Sequence, residues 1–191
     1  MQKKTIIFDF FGVVCAEVSA RWFATHLSPE EESRVRASAY LKAADLGETT
    51  DEVLFKNLSE LSGETPEAIR ASWGQLVNID TEVVALLAKL KETHRIGLCS
   101  NAIASSFWQI VVEHHLAPLF DSIVVSSEVH LIKPDPRIYT LTLDKLGTAA
   151  KDTIFFDDRK VNVDAAAALG IESYIFTDAA GLRETIVALG L

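Results

Sequence analysis

The stretch Thr5-Ile6-Ile7-Phe8-Asp9-Phe10-Phe11-Gly12-Val13-Val14 sets one carboxylate in an otherwise apolar run. Its first part, 5–10, is short, β-branched and aromatic, which reads as a strand buried on both faces. Gly12 follows and permits a tight turn. Four further runs have the same character, at 95–99, 122–125, 153–156 and 173–176. Helical stripes accompany them. Val83, Leu86, Leu87 and Leu90 share one face behind Asp80 as N-cap, and Phe107, Ile110, Val111 and His114 share another. Asp135-Pro136 opens a third helix that Gly147 closes. The alanine-rich 163–169 stops at Gly170, and Leu182, Ile186 and Leu189 form a last stripe. Strands alternating with helices predict an α/β fold, a Rossmann-like doubly wound parallel sheet of about five strands.

One segment breaks the alternation. Residues 15–78 show no strand pattern but four helical ones, at 16–26, 29–44, 50–61 and 66–73, parted by Leu27-Ser28-Pro29, Leu46-Gly47 and Ser62-Gly63. A connection this long is a subdomain or carries function. The expected organisation is therefore a core of 1–14 and 79–191, with 15–78 inserted as a helical unit over the strand ends.

A chain of 191 residues, 49% hydrophobic and 24% charged, can bury a core and is not disordered. Its 18 basic and 27 acidic residues leave a net charge of −9, which argues against nucleic-acid or anionic-membrane partners. Cys15 and Cys99 have no partner at metal or disulfide-framework spacing and read as buried, inert thiols. Met1-Gln2-Lys3-Lys4 and the short run after it lack a leader's apolar stretch, and no run approaches a membrane span. The expected setting is the cytoplasm. His114 and His115 are adjacent, so they do not share a helix face. Trp22 and Phe23 are expected to pack in the interior of the helical segment, Trp108 stays open between packing and a pocket, and Glu30–Glu32 read as a solvated helix start.

Open parallel sheets bind ligands outside the carboxyl ends of their strands. Past the first strand lies Asp9, past the second Ser100-Asn101, past the third Lys133-Pro134-Asp135-Pro136, and past the fourth Asp157-Asp158-Arg159. Carboxylates gathered at one edge call for a divalent cation held by oxygen ligands.

These segments resemble the haloacid dehalogenase-like (HAD) hydrolase superfamily of the helical-cap type, with sugar-phosphate phosphatases and epoxide hydrolase N-terminal domains as related members. Ile6-Ile7-Phe8-Asp9, Leu98-Cys99-Ser100-Asn101, Lys133-Pro134 through Tyr139, and Phe156-Asp157-Asp158 through Asn162 follow its four motifs in order. The resemblance implies a nucleophile at Asp9. It implies Mg²⁺ held by Asp9, the Phe11 backbone carbonyl and Asp158, with Asp157 beside it. It implies phosphate binding by Ser100 and Asn101, charge balance by Lys133, and a cap at 15–78. The implied activity is Mg²⁺-dependent hydrolysis of a small phosphorylated metabolite through an aspartyl-phosphate.

Phe11 departs from the pattern. Most phosphatases of the family carry a second Asp there, which protonates the leaving group, and phenylalanine cannot. An aromatic at this position resembles metal-independent 2-haloacid dehalogenases, although Asp157-Asp158 does not match their fourth motif. Two alternatives therefore stand beside the phosphatase: a dehalogenase using the same Asp9, and a catalytically weak binding protein. Glu17 and His26 are candidates to supply the missing proton. His130, where relatives usually have Gly, is a smaller departure.

Overall fold

Ile6, Ile7 and Phe8 are all buried within β1 (Thr5–Phe8), the middle strand of a parallel sheet. The computed structural model describes residues 5–191, so the reading of residues 1–4 lies outside it. After β1 the chain forms α1 (Val18–His26), α2 (Pro29–Ala37), α3 (Tyr40–Asp45), α4 (Asp51–Ser62), α5 (Pro66–Gln75) and α6 (Thr81–Lys91). There follow β2 (Arg95–Ser100), α7 (Ala104–Glu113), β3 (Ser122–Val125), α8 (Ser126–Val129) and α9 (Pro136–Leu146). The chain ends with β4 (Thr153–Asp157), α10 (Lys160–Ala168), β5 (Glu172–Ile175) and α11 (Ala179–Leu189).

The sheet order is β3-β2-β1-β4-β5, with every ladder parallel. Side chains alternate across it. Ile6, Phe8, Ile96, Leu98, Ile154 and Phe156 meet α6, α7 and α11 on one face. Ile7, Cys99, Val124 and Phe155 meet α9 and α10 on the other. This is the expected doubly wound arrangement. Phe8 pairs with Leu98 on one side and Phe156 on the other, so Asp9 emerges level with the ends of β2 and β4.

Several boundaries moved, each for a local reason. The first strand stops at Phe8, because the Phe10 carbonyl turns to accept the Val14 and Cys15 amides at 2.8 and 2.9 Å. The helix expected over 29–44 is two helices. Ser38 takes an extended backbone (ψ 157°) and donates its hydroxyl to the Val35 carbonyl, which ends α2 and frees α3 to set off in a new direction. Two caps formed as read, with Asp80 accepting the Glu82 and Val83 amides and Asp135 that of Arg137; Ser28 and Glu31 add a capping box that the sequence reading did not single out.

The helices α1, α2, α4 and α5 pack around Trp22, Phe23, Val35, Leu54, Phe55, Leu58 and Ile69. Trp22 and Phe23 are fully buried there, as expected. Trp73 and Leu76 touch both this cluster and the cluster on the sheet. His114 and His115 are exposed. No described helix is long and apolar enough to cross a membrane. Burial pushes both the Cys15 and Cys99 thiols up to about 11, which fits inert, free cysteines.

Candidate active site

Lys133 reaches the strand edge from the segment after α8 and is buried, and its ammonium is held between two carboxylates. Its Nζ lies 2.7 Å from Asp9 Oδ1 and 2.7 Å from Asp157 Oδ2. Burial alone would pull the ammonium down, but Asp9 and Asp157 together hold it above its ordinary range. Burial pushes the Asp9 carboxyl well above the usual carboxylate range; Lys133 opposes this and Asp157 adds to it.

The two neighbouring acids differ in how they are occupied. Asp157, wholly buried at the end of β4, accepts from Lys133 Nζ, from the Arg159 amide at 2.8 Å and from Asn162 Nδ2 at 3.0 and 3.1 Å. Asp158 Oδ1 is buried with no hydrogen-bond partner among the described residues. Gly12 makes room for it. A Cβ on Gly12 would sit 2.4 Å from Asp158 Oδ2, and the backbone there has φ +86°, which disfavours any side chain.

The donor set suits a divalent cation. Asp9, Asp157 and Asp158 each place a carboxylate oxygen within 4.8 Å of the others, against the single ammonium of Lys133. The buried orphan oxygen of Asp158 is a ligand atom in waiting, and oxygen donors with surplus negative charge are what Mg²⁺ prefers. The Phe11 carbonyl stands in the same turn and accepts no hydrogen bond among the described residues.

Ser100 ends β2 and Asn101 follows it, and the two differ in their hydrogen bonding. Ser100 Oγ is fully buried and has no hydrogen-bond partner among the described residues. Asn101 instead spends its side chain on the backbone of Lys133, donating from Nδ2 to the Lys133 carbonyl at 3.0 Å and accepting the Lys133 amide at 2.8 Å. These two bonds position the lysine, and Asn101 also lines the cavity above.

A cavity of about 630 Å³ opens above these groups. Asp9, Phe11, Asn101, Lys133, Asp158 and Arg159 form its floor, and Leu41, Leu54, Phe55 and Trp73 from the overlying helices form an apolar wall. Glu17 lines the cavity, whereas His26 stacks on Trp22 and is not part of the lining. Asp45, at the end of α3, is a lining residue that sequence reading missed. Its charge resembles any surface acid in the sequence, and only the break at Ser38 turns α3 so that Asp45 lies over the site. The departure at His130 also finds a use: its ring Nδ1 lies 2.7 Å from the Leu46 carbonyl, just past α3.

A model of haloacid dehalogenase-like hydrolases matches residues 6–176. Over 182 residues the chain is 28% identical to a sesquiterpene phosphatase of Aspergillus oryzae, spanning 92% of this chain and 90% of that protein. A HAD family enzyme of Bacteroides thetaiotaomicron superposes with a TM-score of 0.78 at 24% identity, covering 93% of this chain and 95% of the other. That enzyme has also been solved with magnesium and inorganic phosphate. A dehalogenase superposes with a TM-score of 0.68 at 19% identity, covering 90% of this chain and 84% of the other. The structural likenesses speak for the fold. The family match encloses all four strand-end segments that converge on Lys133, and on that ground the chain belongs to the haloacid dehalogenase-like hydrolases.

Proposed function

We propose that the protein is a Mg²⁺-dependent phosphatase of a small phosphorylated metabolite, with Asp9 as nucleophile. The observation that carries this reading is the pairing of a surplus-charged carboxylate cluster with the buried Lys133 ammonium at the cavity floor. The first suits a metal ion, the second an anionic oxygen. The near-full-length phosphatase relative and the neighbour solved with magnesium and phosphate lend support.

On this reading residues 1–14 and 79–191 are the catalytic core, and 15–78 is the cap that shapes the substrate cavity. Asp9 and Asp158 with the Phe11 carbonyl would hold the ion, and Asp157 serves mainly to hold Lys133. Mg²⁺ bound there would supply charge neutralisation at the phosphoryl oxygens. Asp9 attacks phosphorus as the bond to the leaving oxygen breaks, which leaves the phosphoryl group on its carboxylate. Ser100 donates to a phosphoryl oxygen, and Lys133 balances the charge that gathers there. Asn101 keeps Lys133 in place. Water then attacks the aspartyl-phosphate and frees Asp9.

A panel of phosphate esters and 2-haloacids, each with Mg²⁺ and with chelator, is the decisive experiment. Chelator-sensitive hydrolysis of phosphate esters is expected, and Asp9→Asn should abolish it with the fold intact. Phe11 favours the dehalogenase reading, and chelator-resistant halide release without ester hydrolysis would establish it. Ester binding with no turnover across the panel would establish the weak binding protein.

A further inference from the structure

The Phe11 ring beside the nucleophile cannot exchange a proton, yet an alkoxide leaving from phosphorus needs one. Three acids from the overlying segment line the cavity: Glu17, Asp45 and Asp51. Asp51 is occupied, since its carboxylate accepts from both the Ser105 and Ser106 hydroxyls. Glu17 accepts from the Ser19 hydroxyl at 2.5 Å. The Asp45 side chain makes no hydrogen bond among the described residues, and its place is fixed through the backbone. Ser126 Oγ donates to the Asp45 carbonyl at 2.6 Å, and His130 Nδ1 engages the Leu46 carbonyl next to it.

We propose that Asp45 is the proton donor to the leaving group, and afterwards the base that activates water; this rests on the phosphatase reading above. In the first step the Asp9 oxygen–phosphorus bond forms, the ester P–O bond breaks, and the Asp45 carboxylic acid gives its proton to the departing oxygen. Alcohol leaves. In the second step the Asp45 carboxylate takes a proton from water as that water's oxygen bonds phosphorus. The Asp9–phosphorus bond then breaks, releasing phosphate with Asp9 ionised and Asp45 protonated again.

The surroundings poise the group for both duties. Burial, then the charge of Glu17, raises the Asp45 carboxyl to about 7, against the pull of Arg159 and Lys133. On helices packed against α3, Arg36 of α2 pairs with Glu32, and Glu128 of α8 accepts from Trp108 Nε1; Asp158 faces the same cavity from the floor.

The test compares kcat/KM for hexyl phosphate and p-nitrophenyl phosphate, with Mg²⁺, in the full chain. Asp45→Asn should cut the alkyl value by about 10²–10⁴ and the aryl value by less than about tenfold. In the wild-type protein the alkyl-to-aryl ratio should fall about tenfold per pH unit above about pH 7, as the acid form is lost. In the variant the ratio should no longer depend on pH. Equal losses on both esters, or none, overturn the proposal. Should the variant not fold, a flat wild-type ratio across about pH 6 to 9 overturns it as well. Absence of any Mg²⁺-dependent ester hydrolysis in wild type removes the phosphatase reading and the proposal together. Aryl hydrolysis with a flat ratio removes only Asp45.

Discussion

Ser100 keeps a hydroxyl in a fully buried position where no described residue satisfies it. A buried polar group left unpaired costs about 1–3 kcal/mol, so an apolar residue of similar size suits folding better. Ser100→Ala is therefore expected to hold or raise Tm, while kcat falls by about 10²–10³, as for loss of one donor to a developing anion. Thermal melts beside steady-state kinetics check this, and a lower Tm with unchanged kcat would show that the hydroxyl serves the fold. At this scale the sequence was legible as to which residues gather, because Asp9, Ser100 and Asp157 stand at strand ends and Lys133 in the connection after β3. It was silent on which atoms stay free. Asn101 bonds the Lys133 backbone and Lys133 Nζ bonds Asp157; such pairings arise between distant segments and leave no mark in local spacing, whereas the bond from Asn162 to Asp157 lies within one motif.

Element by element, legibility followed the strength of the local signal. The strands were readable because a sheet buried on both faces demands unbroken apolar runs, and α6 and α9 because cap and stripe agree. The break between α2 and α3 was not, since Ser38 is tolerated inside helices and only its hydroxyl's choice of the Val35 carbonyl ends this one. Contacts between elements were equally hidden. Asp51, buried in the first turn of α4, accepts from the hydroxyls of Ser105 and Ser106 at the start of α7 and so pins the segment above the site to the sheet's helical layer. Hydrogen bonds to a charged group contribute about 1.5–3 kcal/mol. At 2–4 °C per kcal/mol for a chain of this size, Asp51→Ala should lower Tm by roughly 3–12 °C. Adding Ser105→Ala and Ser106→Ala should then cost little more, because the partners are already gone. Full additivity in that double-mutant cycle would mean the three residues act separately.

Across the whole molecule, apolar packing divides into two layers on the sheet and a third cluster among α1, α2, α4 and α5, with Trp73 and Leu76 shared between the third and the first. The layers are unequal in depth. β1 lies between β2 and β4, with every residue buried, whereas α2 and α3 each bury a single side chain, Val35 and Ala44. Segments with few buried apolar contacts open at low free-energy cost, and segments sharing a cluster open together. Native-state hydrogen exchange should accordingly resolve three levels. Amides of β1, β2 and β4 should exchange only through global unfolding. Those of α1, α4 and α5 should share one lower opening free energy, since they lose the Trp22–Phe55–Ile69 cluster as a unit. Those of α2 should exchange fastest. The α3 amides should be slower than α2 despite equal burial, because Ser126 and His130 tether the end of α3 to the layer below. His130→Gly removes one tether and should move α3 toward the level of α2 while leaving β1 unchanged. If α1, α4 and α5 instead exchange only with the sheet, the shared residues Trp73 and Leu76 bind the clusters into one cooperative unit, and access to the cavity does not come from independent opening of residues 15–78.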